Sequence, residues 1–144
     1  MRLLFVSVSL KLFVGFFLNK CDGSDDYYVN ATLVHSDPGA VCLTGKPASY
    51  YFDNGFSSGT RNWLVYLQGG GWCNNLQYCV KYAHDRNITI DLKPYNFRYI
   101  LSNKEGENPD FFNRNKVMIR YCDGSSFTSD SPKTDEYNGT KLYF

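Results

Sequence analysis

An α/β fold is what this 144-residue sequence predicts, and three observations carry the expectation. Trp63-Leu64-Val65-Tyr66-Leu67 is a continuous run of aromatic, β-branched and aliphatic residues, too short for a helix, which marks a buried strand. It runs straight into Gly69-Gly70-Gly71, and a polar stretch with cap-forming asparagines follows. After a long excursion, Lys116-Val117-Met118-Ile119-Arg120-Tyr121-Cys122 returns to strand character. Strand, glycine turn, helix, excursion, strand is the order of an α/β unit. Two strong strands do not make a sheet, so the sheet is expected to be incomplete in this chain.

The elements follow in chain order. After Arg2, residues Leu3 to Leu18 are almost all apolar, with Lys11 the one charge among them. The run is shorter than the roughly 20 residues a spanning helix needs. With small residues at Cys21 and Gly23, residues 1–23 read as a secretory signal peptide; an uncleaved anchor and a buried strand and helix are the rival readings, and no stable membrane span is expected. Ser24 to about Ala40 is a polar lead-in with a short extended piece around Tyr28–Val34. Ala48–Phe52 is short and aromatic, and Asp53-Asn54-Gly55 signals a turn after it. Asn74 or Asn75 is placed to cap a helix running to about Ala83. Residues 88–94 and 96–108 look irregular, and Asn108-Pro109-Asp110 can start a turn or short helix. Asp123 to Thr134 is polar and loop-like; residues 135–144 show no stop signal, and Lys141–Phe144 looks like the middle of an element.

Composition narrows the function classes. Fifteen basic residues against 14 acidic give a formal charge of +1, which removes the electrostatic case for nucleic acid. A hydrophobic content of 43% with 17% aromatics argues against disorder. Loss of residues 1–23 takes away Arg2, Lys11, Lys20 and Asp22, so the balance turns slightly negative, and it leaves an even set of cysteines: Cys42, Cys73, Cys79 and Cys122. In an exported chain that favours two disulfides, with three connectivities open to the sequence alone. Zinc is the rival, but there is no C-x-x-C, and His35 and His84 do not follow zinc spacing. No metal or other cofactor is expected. Sequons at Asn30, Asn87 and Asn138 agree with export and glycosylation.

The glycine triplet is the first candidate for chemistry. Residues without Cβ between a strand and a helix let backbone N–H groups approach a ligand closely. A phosphate cradle wants a Lys and a Ser or Thr after the last glycine, and here Trp72-Cys73 follows. An oxyanion hole needs only rigid backbone donors. A plain tight turn is the competing explanation. Gly55-Phe56-Ser57-Ser58-Gly59 fits G-x-S-x-G letter for letter, but it follows a turn and leads into a strand, the reverse of a nucleophile elbow, so Ser57 is read as a decoy. No other G-x-S-x-G occurs. His35 and His84 read as surface histidines. Asp123-Gly124-Ser125-Ser126 at a strand end can line a cleft, and is equally ordinary turn chemistry.

Taken together, the segments match a family. Val41-Cys42-Leu43-x-Gly45, Gly55 to Gly59, and Trp63-Leu64-Val65 leading to Gly69-Gly70-Gly71-Trp72-Cys73-Asn74-Asn75 resemble the plant pectin acetylesterases. So do Ile100 to Lys104, Asn108 to Asn113 and Arg120-Tyr121-Cys122-Asp123-Gly124-Ser125-Ser126-Phe127-Thr128; the carboxylesterase Notum is a more distant relative. The resemblance runs from about Val41 to Ser131 and makes residues 41–144 the N-terminal portion of an α/β-hydrolase-like domain. It implies a secreted, cell-wall enzyme that removes acetyl groups from pectin through Ser, Asp and His. That nucleophile lies in a downstream elbow that this sequence does not contain, so the chain by itself is expected to be inactive. The resemblance places oxyanion donors at Gly70 and Gly71, a pocket wall at Trp72 and a cleft-side loop at Asp123, Gly124 and Ser125; for Trp72, core packing is the alternative. It also implies pairing of Cys42 with Cys122 and of Cys73 with Cys79. The expected partner is acetylated pectin. The rival readings are a non-enzymatic secreted product or pseudoenzyme that binds polysaccharide, and a Notum-like lipid-ester hydrolase.

Overall fold

The computed structural model describes residues 26–85 and 92–144. The stretch read as a signal peptide, residues 1–23, and the Asn87 sequon lie outside them.

A mixed four-stranded sheet organises the chain. Its strands are β2 (Ala31–Leu33), β3 (Ser49–Asp53), β4 (Trp63–Leu67) and, after the excursion, β6 (Asn115–Ile119), in the spatial order β2-β3-β6-β4. β6 pairs antiparallel with β3, Tyr51 opposite Met118, and parallel with β4, Val65 opposite Val117. Both predicted strands are therefore present and adjacent, joined through the helix α1 (Leu76–Asp85). A parallel pair needs such a crossover connection. The N-terminal lead-in is less free than its polarity predicts: β1 (Tyr28–Val29) pairs with β5 (Tyr95–Asn96), and β2 pairs with β3. Residues 134–143 form a hairpin, β7 (Thr134–Tyr137) and β8 (Thr140–Tyr143).

Period-two alternation sorts the sheet residues. Tyr51 and Met118 point to one face and, with Val29, Phe97 and Leu101, build the first core. The opposite face carries Phe52, Val117, Ile119, Trp63, Val65 and Leu67. Trp63, Val65 and Leu67 are 58%, 60% and 56% exposed. This corrects the expectation of a buried strand at 63–67. β4 forms the edge of the sheet, paired on one side only, and no element of the described residues covers its outer face.

The second core surrounds the cysteines. Cys42 is bonded to Cys122 and Cys73 to Cys79. Leu43, Tyr82, Ala83 and Leu142 pack around them. The helix leans on the terminal hairpin, which brings residues 73–83, 122 and 142 together. Asn75 caps α1, its Oδ1 accepting the Tyr78 N–H at 2.8 Å. No helix of the described residues is long and apolar enough to cross a membrane.

Candidate active site

β4 delivers the chain to the glycine loop, and the segment after β6 receives it. The Gln68 N–H donates to the Ile119 carbonyl at 3.0 Å, extending the β4–β6 ladder by a residue. The Gln68 Oε1 accepts the Tyr121 N–H at 3.0 Å. Gly70 lies under the Tyr121 ring, and a Cβ there would sit 1.8 Å from Tyr121 Cδ1. Only glycine permits that approach. One residue on, two tyrosines hold both peptide groups of Gly71. Its N–H donates to Tyr82 Oη at 3.0 Å, and its carbonyl accepts the Tyr121 hydroxyl.

The resemblance implies oxyanion donors at Gly70 and Gly71, and the two N–H groups differ in their bonding. Gly70 has an N–H engaged by no hydrogen bond among the described residues, but the Gly71 N–H is already committed to Tyr82. The Trp72 N–H is unengaged in the same way. The Trp72 side chain is 57% exposed, so it is no part of a core here.

A second loop stands beside the first. The Cys73 N–H donates to the Gly124 carbonyl at 2.9 Å, joining the two. Gly124 has φ +72°, and a Cβ there would meet Cys73 Sγ at 2.9 Å. Ser126 and Phe127 also adopt positive φ, 58° and 60°. Such non-glycine residues persist where surrounding bonds over-determine them. Here the Asp123 Oδ2 accepts from Ser125 Oγ at 2.7 Å and from the Phe127 N–H at 2.6 Å. The Ser126 N–H donates to Tyr121 Oη at 3.1 Å, and the Phe127 ring meets Tyr121 edge-on at 5.2 Å. The other Asp123 oxygen, Oδ1, is buried and has no partner among the described residues. Ser125 Oγ also contacts Ser129 Oγ. Burial pushes the Tyr121 phenol above its ordinary range, and the nearby Asp123 charge adds to this, so the hydroxyl keeps its proton as a donor.

The decoy has a structural explanation. Ser57–Gly59 is a single 3₁₀ turn between β3 and β4. A Cβ on Gly55 would lie 2.6 Å from the Asn115 nitrogen, and one on Gly59 would lie 2.0 Å from the Asn113 carbonyl oxygen. Both glycines of the motif exist because backbone passes backbone. Ser58 Oγ accepts from Asn113 Nδ2 at 3.1 Å. Neither histidine serves this turn: His35 is exposed, and His84, 90% exposed at the end of α1, pairs with Asp85 at 3.6 Å. Of the sequons, Asn30 and Asn138 are exposed.

Sequence reasoning singled out the glycines, Trp72 and Asp123–Ser125, and the structure brings these two loops together. It missed Gln68, Tyr82 and Tyr121 as their fasteners. In the sequence Tyr121 belongs to a strand-like run and to a segment that resembles the family, with no role of its own. Tyr82 lies a helix away from the glycine it binds, and no local pattern announces such a bond.

Residues 23–144 match the family model described as Pectinacetylesterase. Pectin acetylesterase 11 of Arabidopsis thaliana is 44% identical over 108 residues, covering 74% of this chain and 27% of that protein. Pectin acetylesterase 5 of the same plant is 42% identical over 123 residues, 84% of this chain and 29% of that one. The palmitoleoyl-protein carboxylesterase NOTUM of Mus musculus is 36% identical over 100 residues, 67% of this chain and 20% of that protein. The chain thus spans less than a third of the length of these relatives. Among solved structures, the Wnt deacylase Notum from Drosophila superposes with a TM-score of 0.70 at 24% identity, covering 82% of this chain and 34% of that one. That likeness bears on the fold, which is the N-terminal part of an α/β-hydrolase-like architecture with an incomplete sheet.

Proposed function

Because the chain belongs to the pectinacetylesterase family, we propose that it forms the oxyanion side of a carboxylic ester hydrolase that removes acetyl groups from cell-wall pectin. One observation carries the reading. The Gly70 and Trp72 N–H groups have no hydrogen-bond partner among the described residues, on a loop at the end of a parallel strand that two tyrosines clamp. Donors held rigid and left open suit a charge that appears only in the transition state.

In this reading a serine hydroxyl, supplied by family-length sequence outside the 144 residues, attacks the acetyl carbonyl. The carbonyl oxygen takes up the negative charge and accepts from the loop N–H groups. The acyl C–O bond to the sugar then breaks, the sugar oxygen takes up the proton given up by the serine, and water attacks the acyl-enzyme, releasing acetate and returning a proton to the serine. The Asp123–Ser125 loop lines the cleft, and Trp72 forms its wall. Export through residues 1–23, glycosylation at Asn30, Asn87 and Asn138, and a cell-wall location belong to the same proposal. The sequons at Asn30 and Asn138 are exposed, as that requires.

The test is acetate release from acetylated pectin by a family-length protein that includes this chain. Gly70→Ala drives a methyl into the Tyr121 ring, and kcat is expected to fall by roughly 10²-fold or more, the usual cost of a lost oxyanion donor. The 144-residue chain alone is expected to release no acetate, and Ser57→Ala to change nothing. A preference for long acyl chains would favour the lipid-ester reading instead. No hydrolysis of any acyl ester would favour the non-enzymatic one.

A further inference from the structure

We propose that Tyr121 is a positioning residue for ester hydrolysis: its hydroxyl aims the Gly71–Trp72 peptide so that the Trp72 N–H faces the developing oxyanion. This rests on the reading of the glycine loop as an oxyanion site, and it assigns the loop's rigidity to a side chain on another element.

Gly69, Gly70 and Gly71 each have the widest backbone freedom of any residue, so the loop has no intrinsic preference for one peptide orientation. An oxyanion donor must nonetheless be fixed before the reaction, because its value lies in costing no reorganisation at that moment. The clamp therefore has to come from outside the loop. Within a planar trans peptide the C=O and N–H point in opposite directions. Tyr121 donates to the Gly71 carbonyl, and by that geometry it turns the Trp72 N–H of the same peptide away from itself. On the previous peptide, Tyr82 accepts the Gly71 N–H at 3.0 Å. Consecutive peptide planes are thus pinned from two elements, one by the segment after β6 and one by α1.

Tyr121 is itself held. The Ser126 N–H donates to its hydroxyl oxygen at 3.1 Å, leaving the hydroxyl proton for Gly71. Its own N–H is taken by Gln68 Oε1 at 3.0 Å. Its ring covers Gly70 and meets Phe127 edge-on. One side chain thereby links the glycine loop to the Asp123–Phe127 loop, so movement of the second loop is transmitted to the donor peptide.

Tyr121→Phe in an active family-length protein is the direct test, since it removes the hydroxyl and keeps the ring packing. The expected result is a drop in kcat of about 10- to 100-fold, with KM within about twofold and affinity for a phosphonate ester transition-state analogue falling in step with kcat. With ¹⁵N-tryptophan labelling, and Trp72→Phe to identify the signal, the Trp72 backbone amide is expected to shift or broaden in Tyr121→Phe. Tyr82→Phe serves as a second variant and is expected to lower kcat in the same manner. Unchanged kcat in Tyr121→Phe overturns the proposal. So does a loss of kcat matched by a raised KM and a lower melting temperature, which would make Tyr121 merely structural. A wild-type protein that cleaves no acyl ester sinks the oxyanion reading as well, whereas an active wild type with an unimpaired Tyr121→Phe sinks this proposal alone.

Discussion

Lys116 carries a charge to a place with no exposure to solvent. Its ammonium donates to Asp53 Oδ2 at 3.2 Å, to the Phe112 carbonyl at 2.8 Å and to the Arg114 carbonyl at 3.3 Å. Asp53 in turn accepts the Tyr27 hydroxyl at 2.7 Å. Breaking a buried pair leaves one charge uncompensated, so Lys116→Ala is expected to destabilise the fold by roughly 3–5 kcal/mol. Lys116→Met, which also fills the space, is expected to cost less in the same urea titration. Tyr27 adds a pH dependence. Burial, and then the bond to Asp53, push its phenol from 10.0 up to about 12. The folded chain keeps this proton where the unfolded chain gives it up. The stability it contributes is complete below pH 10 and is lost as pH rises through about 12. A Tyr27→Phe variant is expected to show a shallower loss of stability over that window in urea titrations. In the sequence Lys116 opens an apolar strand and reads as its polar end. Nothing local tells that Asp53, 63 residues earlier, stands opposite it in register.

The same contrast holds for the elements. The helix was legible because its signals are local: a capping asparagine and a run of helix-compatible residues. The strand at 115–119 was legible as the apolar run from Lys116 to Cys122, although it ends at Ile119, and the strand at 49–53 showed only as a short aromatic stretch at Ala48–Phe52. The hairpin at 134–143 was not read, although its turn is written plainly. Asn138 and Gly139 have φ of 50° and 75°, the pair of positive values that an Asn-Gly turn between strands adopts. The flanking strands Thr-Asp-Glu-Tyr and Thr-Lys-Leu-Tyr bury only Leu142 fully, so no hydrophobic alternation drew attention to them. Asn138-Gly139-Thr140 therefore registered only as a sequon. The disulfides divide similarly. Four cysteines fitted two bonds, but only the fold sets Cys42 beside Cys122 across 80 residues. The family likeness had implied that pairing, whereas spacing alone did not select it.

At the scale of the molecule the open edge of β4 dominates. Trp63, Val65 and Leu67 project from one face of an edge strand whose outer side has no partner among the described residues. Exposed apolar edges recruit further strands. The 144-residue chain produced alone is accordingly expected to self-associate, with light scattering after size-exclusion chromatography showing dimers or larger species. Val65→Lys together with Leu67→Lys is expected to shift it toward monomer. A monomeric wild-type chain would count against β4 as the sticky edge.

By itself the sequence determined the α/β class, the order of strand, glycine loop, helix and strand, the even cysteine set and the family. These are properties of short windows and their order, where periodicity, caps and motif residues act within a few positions. The tertiary structure alone decided that β4 lies exposed at the sheet edge, that the G-x-S-x-G glycines answer to backbone crossing near Asn113–Asn115, and that Tyr82 occupies the Gly71 N–H. Each of these depends on which distant segment arrives alongside. Backbone donors look identical in any sequence, and whether one is free for chemistry is settled only by the side chain that reaches it.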